Sequence, residues 1–238
     1  EDVEIEEEQP EGYPVNVFFT REGYFKQITP KSLKMSNEQK LKEQDEIIFS
    51  AEVSSNSELL FFTNKFQCYK SRCADFPEIK ASVMGDFVPA KLGMDDGELP
   101  VFMAVTEKFT ETLVIFFKNG KCAKIPLSSY STKTKRKKLQ NAYSELSEMV
   151  GMFVIEGEED FILKSTAGKV IMFNTALVLA KSTRDTQGVQ VMRLTKAELA
   201  SVQIAQNVDV EDIERFRIKT VPAAGIVSED DIDQIKLT

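Results

Sequence analysis

A β-hairpin that recurs along the chain constrains the fold more than any other feature of this sequence. Its clearest copy has an apolar run at residues 113–117, a turn at residues 118–121 centred on Asn119-Gly120, and a second run at residues 122–126. β-branched and aromatic side chains favour strands, and an Asn-Gly pair tolerates the positive φ of a tight turn. Pro126 ends the second run because proline cannot donate to a strand ladder.

Four such hairpins are present, and their turns align at Gly23, Phe66, Gly120 and Gly168, with separations of 43, 54 and 48 residues. A period in this range with one hairpin per repeat is typical of propeller-like arrays. Each unit also offers two further short strands after its hairpin. The sequence therefore predicts an all-β array of four-stranded blades, with four blades in total. A fifth blade completed by the termini is the alternative, and residues 217–221 are the last strand candidate.

Composition narrows the class of protein. The chain has 238 residues, of which 42% are hydrophobic, enough to bury a sizeable core. No apolar run approaches the roughly 18 residues of a membrane helix, and no signal peptide is visible. The three cysteines lack metal-ligand spacing and histidine is absent, so we expect a cytoplasmic chain with no metal and no cofactor. The sequence contains no glycine-rich phosphate-binding loop and no nucleophile elbow, so no motif indicates an active site.

Charge divides the chain into three parts. The formal net charge is −8, but residues 1–12 carry −7 and residues 226–238 carry −3, which leaves +2 for residues 13–225. We expect an acidic linker at 1–12, a β-domain at 13–225, and an acidic C-terminal tail at 226–238, all cut from a longer polypeptide. Acidic ends beside a basic domain can tune nucleic-acid binding, and solubilisation is the alternative role.

Basic residues follow the hairpins at matching places. No acidic residue occurs from Leu113 to Ser144, and that stretch holds a dense basic run. If the repeats surround an axis, these loops share one rim, and their charges form a positive band that suits a DNA phosphate backbone. The alternative is a protein-interaction scaffold whose lysines are only solvated. The candidate DNA-binding residues are Lys133, Lys135, Arg136, Lys137, Lys138, Arg72, Lys80, Lys181 and Arg184.

Phenylalanines in the predicted strands allow two interpretations. They could stack on single-stranded bases, or they could pack between blades, and the second is the better prediction. We therefore expect Phe61 and Phe116 to be buried between blades. Paired carboxylates such as Asp95 and Asp96 lie at turns, where turn chemistry explains them without a metal ion.

Three motifs resemble a known family. They are Phe-Phe-Thr-Arg-Glu-Gly-Tyr-Phe-Lys at 18–26, Lys-Ile-Pro-Leu-Ser-Ser-Tyr at 124–130, and Thr-Gln-Gly-Val-Gln-Val-Met at 186–192. They are similar to repeats of the C-terminal domain of the A subunit of DNA gyrase and topoisomerase IV. The resemblance implies a β-pinwheel that binds duplex DNA and bends or wraps it over a basic outer rim. It also implies two partners, the rest of the A subunit and the ATPase B subunit. The catalytic tyrosine of the ATP-dependent topoisomerase would lie outside this chain.

One departure from the family pattern concerns the third unit. Gyrase carries a glycine-rich basic heptapeptide that this sequence lacks as such. Residues 131–139 occupy the equivalent loop with basic side chains but no glycine, and residues 184–188 are a weak echo. The sequence is therefore closer to a topoisomerase IV-type A subunit or to a divergent gyrase, and it leaves open whether the parent enzyme supercoils or decatenates.

Overall fold

The computed structural model describes residues 10–132 and 136–230. In chain order, the strands of this part are β1 (Pro14–Thr20), β2 (Tyr24–Ile28), β3 (Ile47–Ser54), β4 (Glu58–Thr63), β5 (Cys68–Arg72), β6 (Asp86–Phe87), β7 (Pro100–Thr106), β8 (Thr112–Phe117), β9 (Lys121–Pro126), β10 (Lys138–Leu139), β11 (Met149–Ile155), β12 (Asp160–Ser165), β13 (Lys169–Asn174), β14 (Val189–Gln190), β15 (Leu199–Ile204) and β16 (Ile226–Val227). Two short helices accompany them, α1 (Pro30–Met35) and α2 (Val88–Leu92).

The strands form four antiparallel sheets of four strands each. Their strand orders are β3-β1-β2-β6 in the first sheet, β10-β5-β4-β7 in the second, β11-β8-β9-β14 in the third and β15-β12-β13-β16 in the fourth. The prediction of an all-β array with four blades is confirmed. In every sheet the predicted hairpin supplies the two central strands.

The hairpin turns depend on one left-handed backbone position. Gly23, Gly120 and Gly168 have φ of 94°, 81° and 74°, a region that glycine adopts without a steric cost. Phe66 occupies the same position in the second hairpin with φ of 59°. The alignment of the four repeats made from the sequence is therefore also the structural alignment.

The outer strands differ from the prediction. Each sheet was expected to take all four strands from its own unit, and this was wrong for the strand beside the second hairpin strand. That strand, which we call the exchanged strand, comes from a later part of the chain: β6, β10, β14 and β16 pair with β2, β5, β9 and β13. After each hairpin from the second onward, the chain pairs a short strand with the preceding sheet before it supplies another strand to its own sheet.

The C-terminal strand is also displaced from its expected place. Residues 217–221 do not form a strand, and Arg217 makes only an isolated bridge to Met172. The strand that completes the fourth sheet is β16, at the beginning of the acidic C-terminal tail. It has no hairpin of its own, which is why the repeat pattern in the sequence did not reveal it.

Two compact units make up the chain, Glu1–Glu107 with Arg136–Leu139 and Lys108–Lys135 with Gln140–Thr238. In the first unit Phe61 is fully buried and its ring centroid lies 5.7 Å from that of Phe19 in the adjacent sheet. In the second unit Phe116 is fully buried, 5.0 Å from Phe161. The prediction that both rings pack between blades is confirmed, and base stacking by them is excluded because neither is accessible. Within the described residues, no helix has the length and apolar character needed to cross a membrane.

Candidate nucleic-acid interface

The segments that lead to the exchanged strands carry most of the predicted DNA-binding residues. Each hairpin from the second onward is followed by a 3-10 turn, at Cys73–Asp75, Leu127–Tyr130 and Thr175–Leu177. We call the residues between each of these turns and the next exchanged strand the exchange loops: 76–85, 131–137 and 178–188, of which 133–135 lie outside the described residues. A 3-10 turn at Ile213–Phe216 and residues 217–225 precede β16 in the same way. Of the predicted residues that the structure describes, Lys80, Arg136, Lys137, Lys181 and Arg184 lie in these loops, whereas Arg72 and Lys138 lie in strands.

The exposed cations of these loops are available to solvent. Lys80 lies in the first exchange loop, Arg136 and Lys137 lie in the second, and Lys181 lies in the third. Arg72 is exposed at the end of β5, beside the first 3-10 turn. Lys133 and Lys135, which were also predicted to contact DNA, lie outside the described residues.

Lys138 is exposed only in part, because it belongs to β10 and pairs with Tyr69 across the sheet. Its Nζ lies 3.3 Å from Asp95 Oδ2 and 5.5 Å from the centroid of the Tyr69 ring. Hydrogen bonds to Tyr69 and Asp95 raise the pKa of Lys138. The charge of this lysine is therefore already balanced by a protein carboxylate.

A buried carboxylate supports the strand that Lys138 faces. Glu98 is 2% exposed and accepts hydrogen bonds from Thr63 (2.5 Å), Gln67 (2.8 Å) and Tyr69 (2.7 Å). Burial raises its pKa, but the bonds from the Thr63 and Tyr69 hydroxyls and from the backbone of Asp95 outweigh burial, so the pKa of Glu98 is lowered overall. The same burial and the bond to Glu98 raise the pKa of Tyr69 to about 12.

Arg184 turns toward the protein. Its guanidinium donates to the carbonyl oxygens of Ser129 (3.3 Å) and Gln140 (3.5 Å), which lie on either side of residues 131–139. Its Nε is buried and has no partner among the described residues. Tyr130 donates to the carbonyl oxygen of Ala142 at 2.7 Å and joins the same two stems. Arg184 therefore holds together the two segments that flank residues 131–139, in addition to contributing a positive charge.

The sequence analysis missed the polar side chains that hold the exchange loops. In the first unit, Lys26 is 3% exposed and its Nζ donates to the carbonyl oxygens of Lys40, Ala81 and Val83 at 3.0–3.2 Å. Burial lowers the pKa of Lys26. Gln27, beside it, donates to two carbonyl oxygens of the first 3-10 turn region. The only sign of this role in the sequence was the polar pair Lys26-Gln27 inside an otherwise apolar strand. Such a pair is easily interpreted as the solvent-exposed face of a strand.

Lys219 was also missed as a candidate. It is exposed and lies between the last 3-10 turn and β16, the position that the exchange loops occupy in the other repeats. Arg217, two residues earlier, is engaged by Asp160 at 2.9 and 3.1 Å and by Glu214 at 2.7 and 2.8 Å. Both residues escaped notice because the segment was interpreted as a strand.

The cysteines and carboxylates of the described residues are candidates for reactive or metal-binding groups. Cys68, Cys73 and Cys122 are buried, and burial raises the pKa of Cys73 to about 11, so its thiol is a poor nucleophile. Among the described residues, no group of three or more Cys, Asp or Glu side chains could hold a metal ion. The arrangement offers a set of cations on loops, which suits binding of an anionic polymer.

Comparisons with known proteins agree with this description. No protein-family model matches the chain. The A subunit of DNA topoisomerase 4 from Bacillus subtilis is 27% identical over 165 residues, and the A subunit of DNA gyrase from Staphylococcus aureus is 24% identical over 175 residues. These matches cover 67% and 72% of this chain, but the chain spans only 20% of the length of each relative.

Among solved structures, the C-terminal domain of DNA topoisomerase IV aligns with a TM-score of 0.75 and 20% sequence identity, covering 92% of this chain and 73% of that domain. The four sheets with their central hairpins are thus the architecture of a β-pinwheel. The chain is a homologue of the A subunits of topoisomerase IV and DNA gyrase, and it has the fold of their C-terminal domains.

Proposed function

We propose that this chain is a non-catalytic module of a type IIA topoisomerase A subunit that binds duplex DNA without sequence preference and bends it. The observation that carries the proposal is the repetition of exposed cations on the exchange loops, a position that each repeat reaches by the same path. Lysine and arginine on loops neutralise phosphates and read no base edges, so binding by them is independent of sequence. The proposed contacts are Arg72, Lys80, Lys133, Lys135, Arg136, Lys137, Lys138, Lys181 and Arg184.

The local charges support the second exchange loop as the main contact. Residues 131–137 hold four basic residues and no acid, whereas the first exchange loop pairs Lys80 with Glu78 in sequence and the third pairs Arg184 with Asp185. Lys138 and Arg184 already have protein partners, so in this proposal they contribute charge and position more than direct phosphate contacts.

The proposed partners follow from the relatives. We propose that the parent protein contains the rest of a topoisomerase A subunit, acts with an ATPase B subunit in the cytoplasm, and supplies the catalytic tyrosine from outside this chain. The relatives are named as subunits A of topoisomerase 4 and of gyrase, and the chain matches one fifth of each.

A salt titration of binding to a duplex tests the proposal. If about five phosphates are neutralised, log K falls against log salt with a slope of roughly −4 to −5. A variant with Lys133, Lys135, Arg136 and Lys137 changed to Gln loses four of these charges. Its slope flattens by about 3–4 units, and its affinity falls alike for all duplex sequences. A duplex labelled at both ends reports bending in the same titration by energy transfer.

The matched control removes equal charge from other places. Lys65, Lys91, Lys108 and Lys196 are exposed and lie outside the exchange loops. Changing these four to Gln alters the net charge by the same amount, and we expect the slope to stay close to that of the parent. An equal loss of affinity and of salt slope in both variants would mean that binding depends on net charge alone and not on the exchange loops. A parent that does not bind duplex DNA at low salt would leave the protein-interaction scaffold as the function.

A further inference from the structure

A buried donor recurs at one position of the repeat, four residues after the left-handed turn residue. In the first sheet this position is Gln27, and in the third sheet it is Lys124. Gln27 is 3% exposed and Lys124 is 9% exposed. Burying an amide or an ammonium is unfavourable unless hydrogen bonds replace water, so both side chains require acceptors.

The acceptors are equivalent in the two units. Gln27 Nε2 donates to the carbonyl oxygens of Cys73 at 2.7 Å and Phe76 at 2.6 Å. Lys124 Nζ donates to those of Thr175 at 3.1 Å and Val178 at 3.3 Å. In each case the two carbonyls belong to the first residue of the 3-10 turn and to the C-cap residue that follows its last residue.

The backbone of each donor residue adds a third contact to the same segment. The Gln27 carbonyl accepts from the amide of Ile79 at 3.0 Å, and the Lys124 carbonyl accepts from the amide of Lys181 at 2.8 Å. The first and third exchange loops are therefore attached to the preceding sheet at three points, two at the 3-10 turn and its C-cap and one within the loop. Lys80 and Lys181, the candidate DNA contacts, lie at or next to the third point.

The fourth sheet shows what replaces the donor when it is absent. The equivalent residue there is Met172, whose carbonyl still accepts from the amide of Ile218 at 3.0 Å. Its thioether cannot donate, and the incoming segment brings its own donor instead. Arg217 forms paired hydrogen bonds to Asp160 at 2.9 and 3.1 Å and holds the segment to the sheet.

We propose that Gln27 and Lys124 are positioning residues that fix the exchange loops and thereby set where their cations stand. The proposal rests on the proposed DNA-binding function only for its consequence, since the attachment itself is a property of the protein without DNA. Lys124 has a further partner, Glu158, whose oxygens lie 2.6 and 2.9 Å from Nζ. Because a glutamine serves in the first unit, the carbonyl contacts and not the ion pair are the essential part.

Amide hydrogen exchange of the chain without DNA tests the attachment. In Lys124→Met, the amides of Val178 and Lys181 should exchange at least about tenfold faster than in the parent, since two charge-assisted hydrogen bonds are lost. In Lys124→Gln, which copies the first unit, they should remain close to the parent. The amide of Gly168, which donates to Ser165 in the hairpin of the same unit, is the internal reference.

Two further variants complete the test. Lys164→Met removes a half-buried lysine of β12, which pairs with Val170 and Ser201, and it should leave the exchange of the Val178 and Lys181 amides unchanged. Gln27→Met and Gln27→Lys repeat the comparison on the amide of Ile79, so the proposal stays testable if a Lys124 variant fails to fold. Equal exchange in the Met variants and the parent, or equal acceleration in Lys124→Gln and Lys124→Met, would overturn it.

DNA affinity separates this proposal from the proposed function. If the parent binds duplex DNA, Lys124→Met should bind it more weakly than the parent does. Lys124→Gln should bind it with an affinity close to that of the parent. If the parent does not bind DNA, the proposed function fails while the exchange results still decide the role of Gln27 and Lys124. Unchanged exchange together with normal DNA binding would instead remove only the positioning role.

Discussion

Phe61 illustrates how single side chains hold two sheets together in the first unit. Its ring lies 5.7 Å from Phe19, 6.1 Å from Phe25 and 6.4 Å from Phe76, with the first two pairs at edge-on or near-perpendicular angles. Such aromatic pairs contribute beyond the area that they bury. Phe61 therefore couples the first sheet to the second, and its loss should be felt by both.

We expect Phe61→Ala to lower the free energy of unfolding by about 3–5 kcal/mol, because it removes a fully buried ring and leaves a cavity. Urea denaturation followed by circular dichroism measures the change. Phe87→Ala is the control, since Phe87 is 38% exposed and its substitution should cost much less. Similar losses in the two variants would contradict the interpretation that Phe61 couples the sheets.

Burial of Phe61 and Phe116 could be predicted from the sequence, since apolar runs inside a repeated hairpin leave few alternatives. The roles of Gln27, Lys124 and Arg184 could not. A polar side chain is buried only where acceptors meet it, and these acceptors come from a different repeat or from the far side of a loop. The local sequence pattern shows which side chain is polar but not which acceptors it meets in the folded protein.

At the scale of elements, three of the four exchanged strands begin after a glycine. Gly85, Gly188 and Gly225 have φ of 95°, 79° and 77°. A Cβ at Gly85 would lie 2.5 Å from the carbonyl oxygen of Phe25, and one at Gly225 would lie 2.7 Å from that of Val170. At Gly188 it would overlap the carbonyl oxygen of Cys122. The exchanged strand thus needs close backbone approach, and in the second sheet Lys138 stands at this place and faces Tyr69.

We expect Gly188→Ala to destabilise the second unit by about 1–3 kcal/mol or more. The alanine would adopt a strained left-handed φ, and its methyl group would also overlap the carbonyl oxygen of Cys122. Two glycines of the same unit provide graded controls. Gly168 has φ of 74° but open space around a Cβ, so Gly168→Ala should cost about 1 kcal/mol. Gly157 has open space and no left-handed φ, and Gly157→Ala should be close to neutral. Thermal denaturation ranks the three, and a different order would contradict the role of Gly188.

The sequence predicted the hairpins but not the exchanged strands, for a reason of length. A hairpin is specified by its own turn and two adjacent apolar runs. The exchanged strands have two paired residues each, too few for an alternating pattern to be legible, and their partners lie in another repeat. The glycines before them were visible in the sequence, but nothing local distinguished them from ordinary turn glycines.

For the molecule as a whole, charge is divided between the body and the ends. Residues 1–9 hold six acids and no base, while residues 13–225 carry a net +2. DNA phosphates repel negatively charged segments, so the acidic ends should oppose DNA binding at low ionic strength. At high ionic strength, salt screens this repulsion and the ends should matter little. The predicted division of the chain at residues 12 and 225 rests on this charge pattern.

We expect a chain trimmed of residues 1–9 and 231–238 to bind duplex DNA at least as tightly as the parent at low salt, and equally at high salt. This cut retains Asp230, which pairs with Arg215. An untrimmed chain with the six acids of residues 1–9 changed to Gln or Asn should behave like the trimmed chain, because charge and not length is responsible. Weaker binding after trimming would mean that the ends contribute contacts of their own.

Exchanged strands also govern how such a chain can be synthesised and shortened. The first sheet lacks its fourth strand until Phe87 has left the ribosome, by which time the second hairpin, ending at Arg72, has already emerged. The first three sheets are therefore completed by a strand from the following repeat, and the fourth is completed by β16, which has no hairpin of its own. For the same reason, a chain shortened after Thr106 would keep the second hairpin but leave the second sheet with an open edge, because β10 lies at Lys138–Leu139. Loss of one whole period, by contrast, removes a hairpin together with the exchanged strand that it brings, and the next repeat then supplies an equivalent strand to the preceding sheet.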